Sequence, residues 1–593
     1  MKNINKYPRF FIEHMSSYHK ILIVVSALLL FIATAYSQTN EDSPFGFCPA
    51  AVFLEGYQNS GFSDAQNIGV TWTRPSIFAF WALVQPDMND STLIFNRYDQ
   101  MFGTVPAGIN ILANISAAPA NGDFSEHLMQ DSYRPTDSTK YIRFVKRLVD
   151  RYNGDGVNDM PGLVNPIKYW QVGNEPNDRK TGFADLQRIT YTAVKDVDTT
   201  VSIVIGGVSG FPPQYISFFN KTYEPLLQEL GGKYFDIFDF HWYGNASGEY
   251  RLKDTKTGQD VLEHIKATIK KYGYSEDMPF WITEMGAYSG SPGPLFALTF
   301  PSQTEAQQAS DYIKRYVYPL ARGVKKIFPA YGLIEGFKQD DGYYDHTGLI
   351  YDGKLSDDLG IGVKKLGYYT YKLMTEKLEG SDWNQVETII DGTDDTYCYG
   401  FKKKDGKIIR VLWWDYFDDP GYTNGKTTDV NLTIPNIDSV LITSAVPNAD
   451  NGSELNENDY PAMFKTEIKK VVGNMVNITL GENPVFIEKL SSSSVGVGET
   501  NHSKKEIRIL HQNYPNPFTS YTVFSFDLNS DNRISLKIFD VSGNEITTLI
   551  KDRFYQAGGY EVKWDALSMP SGIYYYQITS NSFSEIGTAR LIR

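Results

Sequence analysis

Between residues 45 and 380 the chain alternates short strand-like runs with stretches of helical periodicity, and this alternation is its strongest constraint on fold. The runs are FGFCPAAVF, GVTWTRPSI, GINILANIS, PIKYWQVG, VSIVIGG, FDIFDFHWY, MPFWITE and KKIFPAYG. Helix-compatible stretches between them include Thr139 to Tyr152, Phe183 to Val197, Pro213 to Glu229, Val261 to Lys271 and Ser302 to Val317. Strand and helix in alternation make parallel sheets, and eight such units match a (β/α)8 TIM barrel of the α/β class, taken as residues 45–385. A doubly wound sheet is the fallback, although its glycine-rich dinucleotide turn is missing. In a barrel the C-terminal strand ends share one face, where chemistry is to be sought.

Residues 386–490 change pattern to short β runs separated by turn residues, which predicts an accessory β-sandwich. Ser491 to Ser494, with Gly496 and Gly498, opens a flexible linker over 491–505. Residues 506–593 again alternate with period two and predict a second, small β-sandwich. At the other end Ile21 to Ala35 is an apolar run preceded by Lys2, Lys6, Arg9 and Lys20 and followed by Ala35-Tyr36-Ser37. That is the pattern of a signal peptide over 1–37, cut before Gln38, with an uncleaved anchor as the alternative. No later stretch is apolar enough to span a bilayer, so no stable membrane span is expected after cleavage.

A net charge of -14 argues against a nucleic-acid partner, since no basic field offsets repulsion from phosphates. Cys48 and Cys398 are the only cysteines; they make either one bridge or two separate small hydrophobes, and no cysteine metal cluster. HExxH, a histidine triad and a GxSxG elbow are also missing, so no metal and no cofactor are called for.

Two strand ends deliver a carboxylate: Glu175 in YWQVGNEPN after the fourth run, and Glu284 in PFWITEMGAY at the seventh. Two acids across a barrel mouth at about 5 to 5.5 Å suit a retaining glycosidase. On these motifs residues 45 to 380 resemble the clan A glycoside hydrolases, eight-fold barrels with acids on strands four and seven. The NEP signature is similar to families 5 and 39, and a sandwich after the barrel favours a family 39-like group. The resemblance implies Glu175 as acid/base, Glu284 as nucleophile and Arg74 as the cation that keeps the nucleophile ionised. It also implies that Asn174 binds the sugar 2-hydroxyl, that Tyr243 bonds the nucleophile and that His241 lines the subsite.

Aromatic rings offer platforms for sugar faces, and Phe78, Phe80, Trp81, Trp242 and Tyr288 are candidates. Where related enzymes carry a tryptophan after strand eight, this chain has FPAYGLIEGF, with Tyr331 or Phe337 as replacement. The segment from Asp340 to Ile350 is expected as a surface loop. Insertions from Asn121 to Lys140 and from Ser289 to Pro301 are expected to wall a cleft. The tail, through QNYPNPF, FDVSGNE and SGIYYYQI, resembles a type IX secretion system sorting domain, which implies export past the outer membrane by that machinery. The expected protein is a secreted retaining β-glycoside hydrolase acting, endo-wise, on a polysaccharide or oligosaccharide. A non-catalytic carbohydrate-binding or scaffold protein on the same barrel is the alternative.

Overall fold

The computed structural model describes residues 41–592 apart from 52–60, 119–125, 177–180, 210–213, 245–248, 295–299, 337–341, 416–424, 491–507, 529–530, 541–543, 581–583 and the single positions 511, 512, 514, 517 and 557. The leader 1–37, the linker 491–505 and Phe337 therefore lie outside the described residues. The chain divides into two compact units, with the boundary between Lys489 and Leu490.

In the first unit, each of the eight strand-like runs contains a strand. These are β1 (Gly46–Phe47), β2 (Trp72–Thr73), β3 (Asn110–Ser116), β4 (Tyr169–Val172), β5 (Ser202–Ile205), β6 (Phe238–Trp242), β7 (Phe280–Met285) and β8 (Val324–Pro329). Neighbours pair in parallel from β1 to β5 and from β6 to β8. Parallel bridges Val204–Ile237 and Val208–Phe240 join β5 to β6, while Phe45–Ile327 and Cys48–Ala330 join β8 back to β1. The outcome is an α/β unit with a ring-like parallel-strand core.

Period two along each strand sorts its side chains to the two faces of the ring. Trp72, Leu112, Val204, Trp281 and Phe328 form one apolar cluster, which fills the interior. Their neighbours Ile111, Ala113, Ile203, Ile205, Ile282 and Ile327 join a larger core beneath the helices. The helix Ser138–Tyr152 shows why: Tyr141, Phe144, Val145, Leu148, Val149 and Tyr152 recur at three and four residues and are buried, and Asp137 caps its N-terminus by accepting from the Lys140 amide. Thr304 and Gln307 form a reciprocal cap on Glu305–Ala321.

From Glu387 to Leu490 the strands are antiparallel, in one six-stranded and one two-stranded sheet. The strand Thr396–Lys402 is buried on both faces: Tyr397, Tyr399 and Phe401 join the large core shared with the α/β part, whereas Cys398 joins a core between the two sheets. Cys48 and Cys398 are thus free, buried and in separate cores. A polar clamp crosses the same junction. Lys314 Nζ lies 3.0 Å from Asp415 Oδ1, Tyr250 donates to Asp415 Oδ2 at 2.8 Å, and Trp413 Nε1 donates to the Tyr250 hydroxyl at 3.0 Å.

The second unit holds antiparallel sheets of three and four strands. Phe524, Phe526, Ile534, Leu536, Trp564, Tyr576 and Leu591, drawn from both sheets, share one core. No helix among the described residues is long and apolar enough to cross a membrane.

Candidate active site

The C-terminal ends of the strands bring Glu175, Glu284, Arg74, Asn174, His241, Tyr243 and Tyr331 together. Glu284, on β7, is buried, and each of its oxygens is held. Oε1 accepts from Arg74 Nη1 at 2.9 Å; Oε2 accepts from Tyr243 at 2.6 Å and from Tyr331 at 3.2 Å. Arg74 spends its other donors on Gln171 at 2.8 Å, Asn174 at 2.7 Å and the Cys48 sulfur at 3.1 Å. Fixed on four partners, this buried guanidinium is a rigid cation beside the carboxylate.

Glu175 stands just past the end of β4 with φ of +42°, a left-handed conformation unusual for glutamate. Gly173, at φ +66°, starts the turn, and its carbonyl accepts from Asn114 Nδ2 at 2.6 Å. Strain of this kind persists only where neighbours over-determine it, as at functional sites. Glu175 Oε1 lies 2.7 Å from His241 Nδ1, and its side chain keeps 33% of its exposure while His241 has none.

β6 delivers Asp239, His241 and Tyr243 inward by period two. One extra residue on β7, Thr283, sits between the pairs Phe240–Ile282 and His241–Glu284. The Thr283 amide and hydroxyl both donate to Asp239, at 3.1 and 2.7 Å, so this bulge is satisfied by a buried side chain and re-aims Glu284. Glycine is required alongside. A Cβ on Gly207 would meet His241 Nε2 at 2.4 Å, and one on Gly286 would meet the Tyr343 hydroxyl at 2.5 Å.

Electrostatics separates the groups. Burial alone would raise the Glu284 carboxyl, but His241, Arg74 and the hydrogen bonds from Tyr243 and Arg74 outweigh it and hold it below its ordinary range. Burial would strip His241 of its proton, yet Glu284, Glu175 and Asp239 around it raise its affinity instead. Asp239 is pushed up to about 6 by burial, against His241, Thr283 and Arg74. One donor atom each from Glu175, His241 and Glu284 lies within 4.8 Å of the others, a spacing that could hold a cation. One corner of the same triangle, Glu284, already accepts from Arg74.

Other expectations are corrected. Trp81 is fully buried, its Nε1 on Gln85 and its ring between His127 and Tyr141. Trp242 points outward from the ring, against Tyr215 at 5.4 Å and donating to the Glu249 carbonyl. Tyr288 is buried, bonded to the Pro301 carbonyl and packed on Tyr343 and Phe300, so it backs the site wall. Residues 343–346, expected in a surface loop, form a buried 3-10 turn that sets the Tyr344 ring against Tyr331 and Tyr243. Of the expected cleft walls, 121–125 and 295–299 lie outside the described residues. Sequence reasoning missed Asn114, Gln171, Asp239, Thr283 and Tyr344. The spacing of Asp239 and His241, two apart on one strand, was the available signal for the third of these and against Trp242.

Residues 512–592 match the family model described as a secretion system C-terminal sorting domain. No curated protein matches the chain significantly. Among solved structures, a glucosidase from Croceicoccus marinus is 16% identical over 76% of this chain and 98% of its own, with a TM-score of 0.48. A 4-O-α-L-rhamnosyl-β-D-glucuronidase from Fusarium oxysporum 12S is 14% identical over 76% and 96%, at 0.45. A GH51 arabinofuranosidase from Xanthomonas axonopodis pv. citri is 13% identical over 77% and 97%, at 0.44. Likenesses this distant decide nothing about activity; the strand pairing defines the fold. It is a parallel-strand α/β core followed by antiparallel domains. The last of these is a sorting tail that directs the chain outside the cell or to its surface.

Proposed function

We propose that the chain is a secreted retaining β-glycoside hydrolase of clan A, with a (β/α)8 barrel over 45–385, an accessory sandwich over 386–490 and a sorting domain over 506–593. It acts on a polysaccharide or oligosaccharide, with internal cleavage of polymers. The observation that carries the reading is the pair of acids. One oxygen of Glu175 and one of Glu284 lie within 4.8 Å of each other, close enough for the carboxyl pair about 5–5.5 Å apart that direct nucleophilic attack needs.

In the first step Glu284, kept ionised by Arg74, attacks the anomeric carbon as the glycosidic bond breaks, and Glu175 gives its proton to the leaving oxygen. In the second, Glu175 takes a proton from water, the water oxygen bonds to the anomeric carbon, and the ester to Glu284 breaks. Two displacements retain the configuration. His241 Nδ1 lies between the two acids, 2.7 Å from Glu175 and 3.5 Å from Glu284, and Asn174, held by Arg74, binds the sugar 2-hydroxyl.

The test is hydrolysis of a panel of plant, algal and microbial polysaccharides by the secreted chain and its Glu175→Gln and Glu284→Gln variants, with product lengths and the first anomer resolved. Internal cleavage with a retained anomer, lost in both variants, supports the reading; an inverted first product refutes double displacement. Binding without cleavage by the natural chain moves the scaffold alternative to first place.

A further inference from the structure

The end of the ring away from the two acids opens into a cavity of about 780 Å³, within the ordinary size range of ligand sites. Early strand positions line it, among them Tyr169 of β4, Ser202 of β5 and Lys326 of β8, so it is distinct from the mouth at the C-terminal strand ends. Its other side comes from the antiparallel domain and the segment leading into it, from Ser381 to Gln385 and Lys402 to Lys404.

Charge in this cavity is unevenly satisfied. Of its acids, Asp236 accepts from the Ile203 amide and pairs with Lys195 at 2.9 Å, Glu41 accepts from the Tyr169 hydroxyl, and Asp382 accepts from the Asn384 amide. Asp42 also lines it. Lys325 donates to Asn384 at 2.7 Å and Lys403 to the Glu376 carbonyl at 3.2 Å. Lys326 is 6% exposed, and its ammonium rests 5.2 Å from the Trp72 ring centre. Among the described residues neither it nor Lys402 nor Lys404 has a side-chain hydrogen bond or ion pair. An ammonium recessed at the wall of a cavity with no protein acceptor is solvated from the cavity, by water or by a ligand that brings the acceptor.

We propose that this cavity binds an oxyanion, either a free inorganic anion or the acidic group of a sugar, with Lys326 as its anchor and Lys402 and Lys404 at its rim. The ammonium of Lys326 is the deepest donor, and the exposed pair at the turn draws the anion in. Burial lowers the Lys326 amine to about 8, against the pull of Asp42, Glu379 and Glu41. A bound anion favours the charged form, so occupancy raises it again.

The experiment is calorimetric titration of the full secreted chain with sodium sulfate and, separately, sodium glucuronate at low ionic strength. It is repeated for Lys326→Met, for the Lys402→Ala/Lys404→Ala double variant, and for Lys270→Met as an unrelated exposed lysine. One site is expected in the natural chain and in Lys270→Met, weakened about tenfold or more in Lys326→Met and less in the rim variant. Tighter glucuronate marks a sugar acid as the ligand, and tighter sulfate marks the inorganic ion; both support the site. Binding of neither anion, or binding unchanged in Lys326→Met, overturns it. The rim variant changes only an exposed turn, so it keeps the test decisive if Lys326→Met does not fold.

Discussion

Replacing Arg74 by methionine removes the buried guanidinium 2.9 Å from Glu284 Oε1 and leaves that carboxylate enclosed with His241, Tyr243 and Tyr331. Deleting one partner of a buried pair costs about 3–5 kcal/mol when the other charge stays. The carboxylate escapes part of this by taking a proton, so its pKa rises, while the histidine and tyrosine remain. The sign follows from linkage. In the natural chain Glu284 lies below its ordinary value of 4.5, so its stabilising contribution is full above 4.5 and fades as pH falls through the folded value. In the variant the folded value moves up toward or past the unfolded one, so that stabilising contribution shrinks. Two assays read it: the acid limb of kcat/KM with an aryl β-glycoside, expected to move to higher pH, and urea unfolding below and above pH 4.5, whose gain in stability with rising pH is expected to shrink. Arg74→Lys keeps the charge without the fork and is expected to restore the acid limb more fully than the rate. An acid limb and a pH slope both unchanged in Arg74→Met would refute the assignment of Glu284's ionisation to Arg74.

Three further outcomes are expected. Glu175→Gln slows polymer cleavage by about 10²–10⁴-fold and aryl glycosides with good leaving groups far less; added azide restores turnover as a β-glycosyl azide seen by NMR. Tyr243→Phe removes the 2.6 Å bond to Glu284 and lowers kcat/KM about 10- to 100-fold, while Tyr331→Phe, at 3.2 Å, has a smaller effect in the same assay. Asp415→Ala takes away the acceptor 3.0 Å from the buried Lys314 ammonium, where the α/β part meets the antiparallel sheets, and is expected to cost about 3–5 kcal/mol in urea unfolding; a cost below about 1 kcal/mol would show that the clamp contributes little.

Much of the site was legible because its residues end hydrophobic runs. Glu175 and Glu284 follow strands four and seven, and Arg74 and Tyr243 close strands two and six, so a parallel ring alone gathers them. Trp81 and Trp242 were misjudged for the same reason, since a run's end does not say which way a ring points. On β6 the two-residue period resolves this by sending His241 and Tyr243 inward and Trp242 against Tyr215. For Trp81, in a short helix between Ala117 and Gln85, no such local rule applies.

The strand runs, the helices with their caps, the separate tail and the two acids are all readable from the chain alone, because periodicity, capping and turn chemistry act over a few residues. Other relations arise only on folding: Asp239 feeds the Thr283 bulge, Gln171 and Asn174 share one guanidinium, and Tyr344 comes from a buried turn after the last strand. The cavity that Lys326 faces, with no acceptor of its own for that ammonium, is of the same kind. These relations join positions dozens to hundreds of residues apart, and they exist only once ring closure and the docking of the antiparallel domain have fixed which buried groups must satisfy one another.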